Sequence, residues 1–379
     1  MHKGENKTID TSKFAVVAHF KINGNPVRIE PFGSGHINDT YRVQTDAGSQ
    51  DYLLQRINNH VFKNVDQLMQ NIQRVTEHLW NKAVQMNVAE PHKAVLKLIP
   101  TEDDQLFYKD EDEKYWRVFH LIDQTKSYDI VENAQQAAEG GRAFGRFQAM
   151  LSDMDSSLIH ESIPNFCHIG SRLTNFHKAI NADVAKRKEK VKKEIDFILA
   201  RENRMNTILD MASRGEISIR ITHNDTKFNN VLLDEKDRAQ CVIDLDTVMP
   251  GYVAYDFGDA IRTIINKAAE DEADLTKIVL NIPLFEAYTK GYFEEASEFL
   301  TEKEVESLIE GVLLFPYMQA VRFLTDYLEG DTYYKIHHPE HNLQRTRAQI
   351  KLVEEIEEHV DELKSIIEKI ASAYPLKPM

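Results

Sequence analysis

Polar and apolar residues alternate in short runs through the first third of the chain, and this period of two predicts strands at residues 27–31, 40–45, 52–57, 94–99, 105–109 and 115–121. Turn-rich pieces, FGSGHIND and TDAGSQD among them, separate the runs. One stretch breaks the alternation. Between Asn64 and Met86 the apolar residues Val65, Leu68, Ile72, Val75, Leu79 and Ala83 recur at intervals of three and four, which predicts a helix with one buried face. After Leu121 the helical period takes over, in residues 133–150, 183–213, 256–267, 275–293, 302–328 and 343–371, with Thr301 and Glu304 spaced as a capping box. Phe144, Phe147 and Phe176 fall at helical spacings and are assigned to the core. A strand-and-loop island at residues 219–248 interrupts the helices. The pattern predicts an α+β, bilobal chain, with a mixed β-sheet lobe and one long helix in residues 1–122 and a mostly helical lobe in 123–379. A cleft between two such lobes is where a small ligand is expected.

Charge and composition narrow the partners. The 379 residues include 61 Asp and Glu against 46 Lys and Arg, a formal net charge of −15. That balance argues against a nucleic-acid partner, because phosphate backbones are gripped by a basic surface. Any phosphate this chain handles must be neutralised locally. Cys167 and Cys241 are too few for a disulfide framework and lack metal-ligand spacing, which points to a reducing compartment. The opening MHKGENKTID has no apolar core, and no run of 18 apolar residues occurs, so a cytoplasmic protein without a membrane partner is expected, as monomer or dimer. The basic run at residues 186–194 reads as a solvated helix face. His337, His338 and His341 read as a loop rather than a zinc site, since Pro339 intervenes and no cysteine is near.

Chemistry concentrates in the island, ITHNDTKFNNVLLDEKDRAQCVIDLDTV. Apolar β-branched residues flank closely spaced polar ones, a pattern of loops held on a short hairpin. Asp225, Asn230 and Asp244 offer oxygen donors suited to a hard cation, and Mg²⁺ takes one or two carboxylates plus substrate phosphates. HNDTKFNN fits the H-x-D-x-x-x-x-N catalytic loop of kinase-like phosphotransferases, and IDLD stands where protein kinases carry Asp-Phe-Gly. The absence of an APE segment and the helical final third look instead like the aminoglycoside phosphotransferase and choline kinase group. Within it, HNDTKFNN, VIDLDTVMPG, YDFGDAIR and RFLTDYLEGDTYYK resemble bacterial N-acetylhexosamine 1-kinases, and the resemblance runs from the FGSGHINDTY loop to HNLQRTRAQ.

The resemblance implies a protein-kinase-like fold, ATP and Mg²⁺ as cofactors, and phosphoryl transfer to the anomeric hydroxyl of N-acetylglucosamine or N-acetylgalactosamine. Asp225 matches the catalytic base, Asn230 and Asp244 match the metal ligands, and Lys227 matches the residue that reaches the γ-phosphate. His223 is expected to brace the loop, while Asp246 reads either as a second metal contact or as a structural acceptor. On the nucleotide side, Gly33, Ser34, Gly35 and Asn38 match a phosphate-covering loop, although Gly-Ser-Gly between strands is also an ordinary hairpin turn. Arg56 takes the place of the phosphate-pairing cation, with Glu77 on the following helix as its partner or as a solvated residue. Residues 118–122, with Phe119 and Leu121, form the expected adenine hinge or a buried core strand. For the sugar, Tyr317, Arg322 and Asp326 are the candidates, followed by Tyr327, His341, Asn342 and Arg345. Arg322 and Asp326, four apart, either pair with each other or bracket a ligand. Another small acceptor (aminoglycoside, choline, homoserine or a different sugar) would keep the ATP-side roles, and a silent nucleotide-binding module would keep the fold alone.

Overall fold

In the computed structural model, which describes residues 11–378 apart from Ser34, His36, Ala47, Ser49 and Lys267, the alternating runs of the first third pair into one sheet. The chain divides into two compact units, residues 1–124 and 125–379.

The first unit opens with a short helix, α1 (Thr11–Val17), followed by β1 (Pro26–Pro31), β2 (Asp39–Thr45) and β3 (Tyr52–Ile57). The long helix α2 (Val65–Gln85), a short turn of helix α3 (Pro91–Ala94), β4 (Leu98–Ile99), β5 (Tyr108–Lys109) and β6 (Tyr115–His120) complete it. The antiparallel sheet has the order β1-β2-β3-β6-β4, with β5 also on β6. Register sets its core. Tyr41 lies opposite Leu54 and Leu54 opposite Val118, so one face collects Val43, Tyr52, Leu54, Trp116 and Val118 under Val16, Val17 and Phe20. The other face carries Gln55 and Arg117, whose guanidinium donates to Gln55 Oε1 and reaches the Met69 sulfur on α2. Helix α2 starts where Asn64 accepts from the Gln67 N–H and buries the predicted stripe from Val65 to Ala83. Two expected strands shrink, 105–109 to Tyr108 and Lys109, and 94–99 likewise. Pro91 at a first helical position turns residues 91–94 into α3, and only Leu98 and Ile99 join the sheet from 94–99. Helix α1, at 7 residues, is too short for a period to announce it.

The second unit is built on helices α4 (Ala134–Leu151), α5 (Ile169–Ala182), α6 (Lys192–Met205) and α7 (Thr207–Ser213). Two small antiparallel pairs follow: β7 (Arg220–Thr222) with β10 (Met249–Gly251), and between them the hairpin of β8 (Val231–Leu233) and β9 (Ala239–Val242). Helices α8 (Val253–Ile264), α9 (Ile282–Ala296), α10 (Glu302–Glu329), α11 (His341–Glu358) and α12 (Val360–Ala371) close the chain. The capping box at Thr301 and Glu304 forms in both directions. By length and composition α10 could span a membrane, but 78% of its most apolar window is buried inside the unit, so it is the central core helix.

Three helix predictions need correction. Residues 183–213 are not one helix: Asp183 is left-handed at φ 40°, its carboxylate takes the N–H groups of Arg187 and Lys188, and the helices α6 and α7 follow only from Lys192 and Thr207, while α5 before it was not expected. The basic run therefore lies largely in a turn and a 3₁₀ segment, where Arg187 pairs with Asp331 and Lys190 with Glu340. The helix expected from 275 begins at Ile282, capped by Asn281, and 343–371 divides at His359.

Helices α8 and α10 touch backbone to backbone: a methyl group on Gly258 would run into the carbonyl of Gly311, and one on Gly311 into the carbonyl of Ala254. Gly258→Ala is therefore expected to lower stability by about 3 kcal/mol, a cost of overpacking that cannot be relieved by a side-chain rotation. Urea unfolding checks this, and an unchanged midpoint would contradict the close crossing.

Candidate active site

The island of polar residues is held by the helix that follows it. Asp256, fully buried near the start of α8, receives the His223 N–H on Oδ2 at 2.8 Å and the Asn224 N–H on Oδ1 at 2.7 Å, while Gln148 Nε2 donates to Oδ2. Burial pushes the Asp256 carboxyl up, against the pull of these donors. Thr226 adds a hydroxyl bond to the Asp256 carbonyl at 2.6 Å, and its N–H donates to Asp259 Oδ2 at 3.1 Å. Asn224 sits left-handed at φ 62°, which Asn tolerates, and its amide donates to Thr222 O and Thr247 O. His223 lies between the edges of Phe144 and Phe147 with Nε2 2.9 Å from Ile243 O, so Nε2 carries the proton and the imidazole braces the two loops, as expected from sequence.

Within this frame Asp225 and Lys227 form an ion pair at 2.9 Å, with 19% of the Asp225 side chain exposed. Burial works to raise the Asp225 carboxyl, but the Lys227 charge, helped by His223 and Arg262, holds it below the usual carboxylate range. Lys227 is raised, chiefly by Asp225. Asn230 donates Nδ2 to the Asp225 carbonyl at 2.8 Å, which leaves its amide oxygen for a cation. The Ile243 N–H donates to the Asn230 carbonyl at 2.9 Å, extending the β8–β9 register and bringing Asp244 beside Asn230. Asp244 is exposed and left-handed, at φ 60°. Among the described residues no cluster of three His, Cys, Asp or Glu forms a cage. One carboxylate and one amide oxygen fit Mg²⁺, which completes its octahedron with phosphate and water, better than a dedicated protein site. Asp246 is buried on the next 3₁₀ turn, and its backbone carbonyl accepts from Ser162 at 2.7 Å.

A cavity of about 400 Å³ in the same unit is lined by Arg172, Arg322, Asp326, Tyr333 and Tyr334, among others. Arg322 donates Nη1 to Gln319, not to Asp326, and its guanidinium lies over the Phe166 and Tyr334 rings. Arg172 donates to the Phe166 carbonyl at 2.7 Å, while its Nε and the Tyr334 hydroxyl are buried without protein partners. Burial, and next the like charge of Arg322, pull the Arg172 guanidinium down. Burial pushes the Cys167 thiol up.

Several sequence candidates change role. Asp326 borders the cavity, but both its oxygens are filled by the N–H groups of Thr332, Tyr333 and Tyr334 and by Asn342 Nδ2, so it shapes the loop that carries the two tyrosines. Tyr317 is fully buried and donates to the Ile198 carbonyl at 2.9 Å, a core position. His341 is buried against Asp271, Tyr327 reaches Glu340, and Arg345 donates to the Lys335 carbonyl. The Arg172 Nε and the Tyr334 hydroxyl are the cavity atoms that keep a free hydrogen-bonding capacity. No spacing in the sequence links residue 172 to 334. By contrast, Asp256, Asp259 and Arg262, three apart within YDFGDAIR, were open to recognition as one helix face.

In the first unit, Gly33 is left-handed at φ 77° and Gly35 and Asn38 lie on the exposed loop between β1 and β2, while Ser34 lies outside the described residues. Asn38 Oδ1 accepts from the Asn58 N–H at 3.0 Å, tying the loop to the end of β3. Arg56 pairs with Asp39, its neighbour across the strands, and not with Glu77, which is exposed and accepts from Gln73 one helical turn away. Phe119 is paired in the sheet on both sides, to Leu53 and Leu98. The Leu121 N–H donates to Asp51 O, so it is not the donor to adenine expected there, and its carbonyl accepts from Gln50 Nε2.

Solved structures share this fold at low identity. Choline kinase from Cryptosporidium parvum superposes at a TM-score of 0.56 and 13% identity, covering 96% of this chain and 100% of its own. Spectinomycin phosphotransferase, solved with ADP and spectinomycin, gives 0.54 at 12% identity over 96% and 97% of the two chains. Plasmodium vivax ethanolamine kinase gives 0.51 at 14% over 85% and 81%. The model of the phosphotransferase enzyme family matches residues 28–292, well over half of the 379, and the chain belongs to that family.

Proposed function

We propose that this phosphotransferase is an ATP-dependent kinase that moves the γ-phosphate to the anomeric hydroxyl of an N-acetylhexosamine. The observation that carries the reading is the backbone on both sides of Asp225, held by Asp256 and Asp259 of α8, with Asn230 bonded to the Asp225 carbonyl; Asn230 and Asp244 are the proposed cation ligands. Phosphoryl transfer asks for positioning and charge compensation more than covalent chemistry. In this reading Asp225 accepts the proton of the attacking hydroxyl, and Lys227, its partner at 2.9 Å, attends the γ-phosphate. Bound Mg²⁺ would supply the charge that offsets the phosphates, held by Asn230 Oδ1 and the Asp244 carboxylate. In the first unit Arg56, with 42% of its side chain exposed, is the residue proposed for the ATP phosphates. ADP in the spectinomycin phosphotransferase supports nucleotide use.

The cavity chemistry supports the acceptor. Two guanidinium groups and an unpartnered phenol offer donors, which suit carbonyl and hydroxyl oxygens of an acetamido sugar. The same positive charges oppose an aminoglycoside polycation or choline, and of the two carboxylates that line the cavity Asp326 is already filled while Glu329 is exposed.

Incubation with ATP, Mg²⁺ and a panel of sugars, choline and aminoglycosides tests this. Phosphate is expected on N-acetylglucosamine or N-acetylgalactosamine, with loss of reducing-end reactivity. Transfer to choline, to an aminoglycoside or to nothing would overturn the reading. Arg322→Ala is expected to raise the KM for the sugar about tenfold or more, roughly 1.4 kcal/mol, with the KM for ATP unchanged.

A further inference from the structure

We infer that Asp259 and Arg262 are positioning residues for the catalytic loop, acting on the backbone between Asp225 and Lys227. The inference rests on Asp225 being the base. Asp256 fixes the chain just before Asp225, through the N–H groups of His223 and Asn224. The chain just after it is fixed by Asp259 Oδ2, which receives the Thr226 N–H at 3.1 Å. Asp259 is itself held: Arg262 Nε donates to its Oδ1 at 3.0 Å, and the same guanidinium donates Nη1 to Glu270 at 2.9 Å. The Asp259 and Arg262 side chains are only 5% and 4% exposed, whereas Glu270 is 42% exposed.

A buried ion pair is weak as a source of stability, since desolvation offsets most of the Coulomb attraction and apolar replacements of both partners are often neutral. What this pair does specifically is to set the direction of Asp259 Oδ2. Thr226 lies between the base and the lysine it pairs with, so a rotation of its peptide moves both functional side chains. The Arg262 fork is anchored from the far side by Glu270, on the segment after α8. The next residue there, Asp271, is gripped by buried His341, and its carbonyl by Gln344. A chain of charge-assisted hydrogen bonds thus runs from that segment through Glu270, Arg262 and Asp259 to Thr226.

Because removing one partner of a buried pair endangers folding, the first test is the double variant Asp259→Leu/Arg262→Met, which removes both charges. The assay is transfer from MgATP to N-acetylglucosamine, or to whichever panel sugar takes phosphate. The expected result is a kcat lower by on the order of 100-fold, with the KM for MgATP and for the sugar both unchanged. Glu270→Gln, at an exposed site that leaves the core intact, tests the outer end and is expected to lower kcat severalfold with both KM values unchanged. A parental kcat in either folded variant, or a change confined to KM, overturns the inference. Asp225→Asn is the control that separates it from its premise. Turnover retained there overturns the base assignment, whereas turnover lost there with a parental double variant overturns only the positioning role.

Discussion

Asp225→Asn is expected to reduce turnover about a thousandfold, within the range for loss of a general base, while ATP binding stays near the parental value. That factor corresponds to roughly 4 kcal/mol of barrier. The substitution keeps the shape of the side chain and an oxygen for Lys227, and it leaves untouched the backbone groups that Asp256 and Asp259 hold. What it removes is the capacity to take a proton and the negative charge that Lys227 balances. Steady-state transfer gives kcat, and titration calorimetry with MgATP gives binding. An unimpaired variant would refute the role of Asp225 as base. Weakened nucleotide binding with unchanged kcat would assign it to binding instead.

Loss of Mg²⁺-dependent turnover is the expected outcome at Asp244. Asp244→Ala removes the carboxylate but also places alanine at φ 60°, a left-handed conformation that costs a residue with a Cβ. Asp244→Asn is the better probe, since Asn accepts that conformation and loses only the charge. In the proposed site, with one carboxylate and one amide as protein ligands, the cation would draw its protein charge from Asp244. A titration of rate against Mg²⁺ is expected to shift to much higher concentration in the Asn variant, and activity with Ala should vanish. Parental activity at ordinary Mg²⁺ in both would move the metal site elsewhere. Equal unfolding midpoints for parent and Asp244→Asn separate this loss from damage to the fold.

The contrast between residues read correctly and residues reassigned follows the range of the interactions involved. His223 as a brace, the β8–β9 hairpin and the neighbouring positions of Asn230 and Asp244 depend on contacts within some twenty residues of sequence, where spacing carries the geometry. For Arg56 the spacing leaves open whether Glu77 on the following helix is its partner or a solvated residue, and the structure shows the second, because Asp39 is the register neighbour across the strand. Tyr317 and Arg322 share a helix whose apolar residues run almost all round, so periodicity could not say which side faces the core and which the cavity. The helix expected from Asp183 starts nine residues later, at Lys192, because Asp183 is left-handed and its carboxylate holds the turn that follows.

Composition, period and motif by themselves determined that this chain has a sheet-bearing first unit and a helical second one, and they located the loop with Asp225, Asn230 and Asp244. These features are written in local spacing and turn chemistry. Only the tertiary structure decided what holds that loop and what faces the cavity. Asp256 and Asp259 reach back more than thirty residues to His223, Asn224 and Thr226 because α8 is seated on α10 at Gly258 and Gly311. Arg172 and Tyr334 meet at one cavity from helix α5 and from the loop that Asp326 shapes. Such pairings are set by packing between elements distant in sequence, and no local period records them.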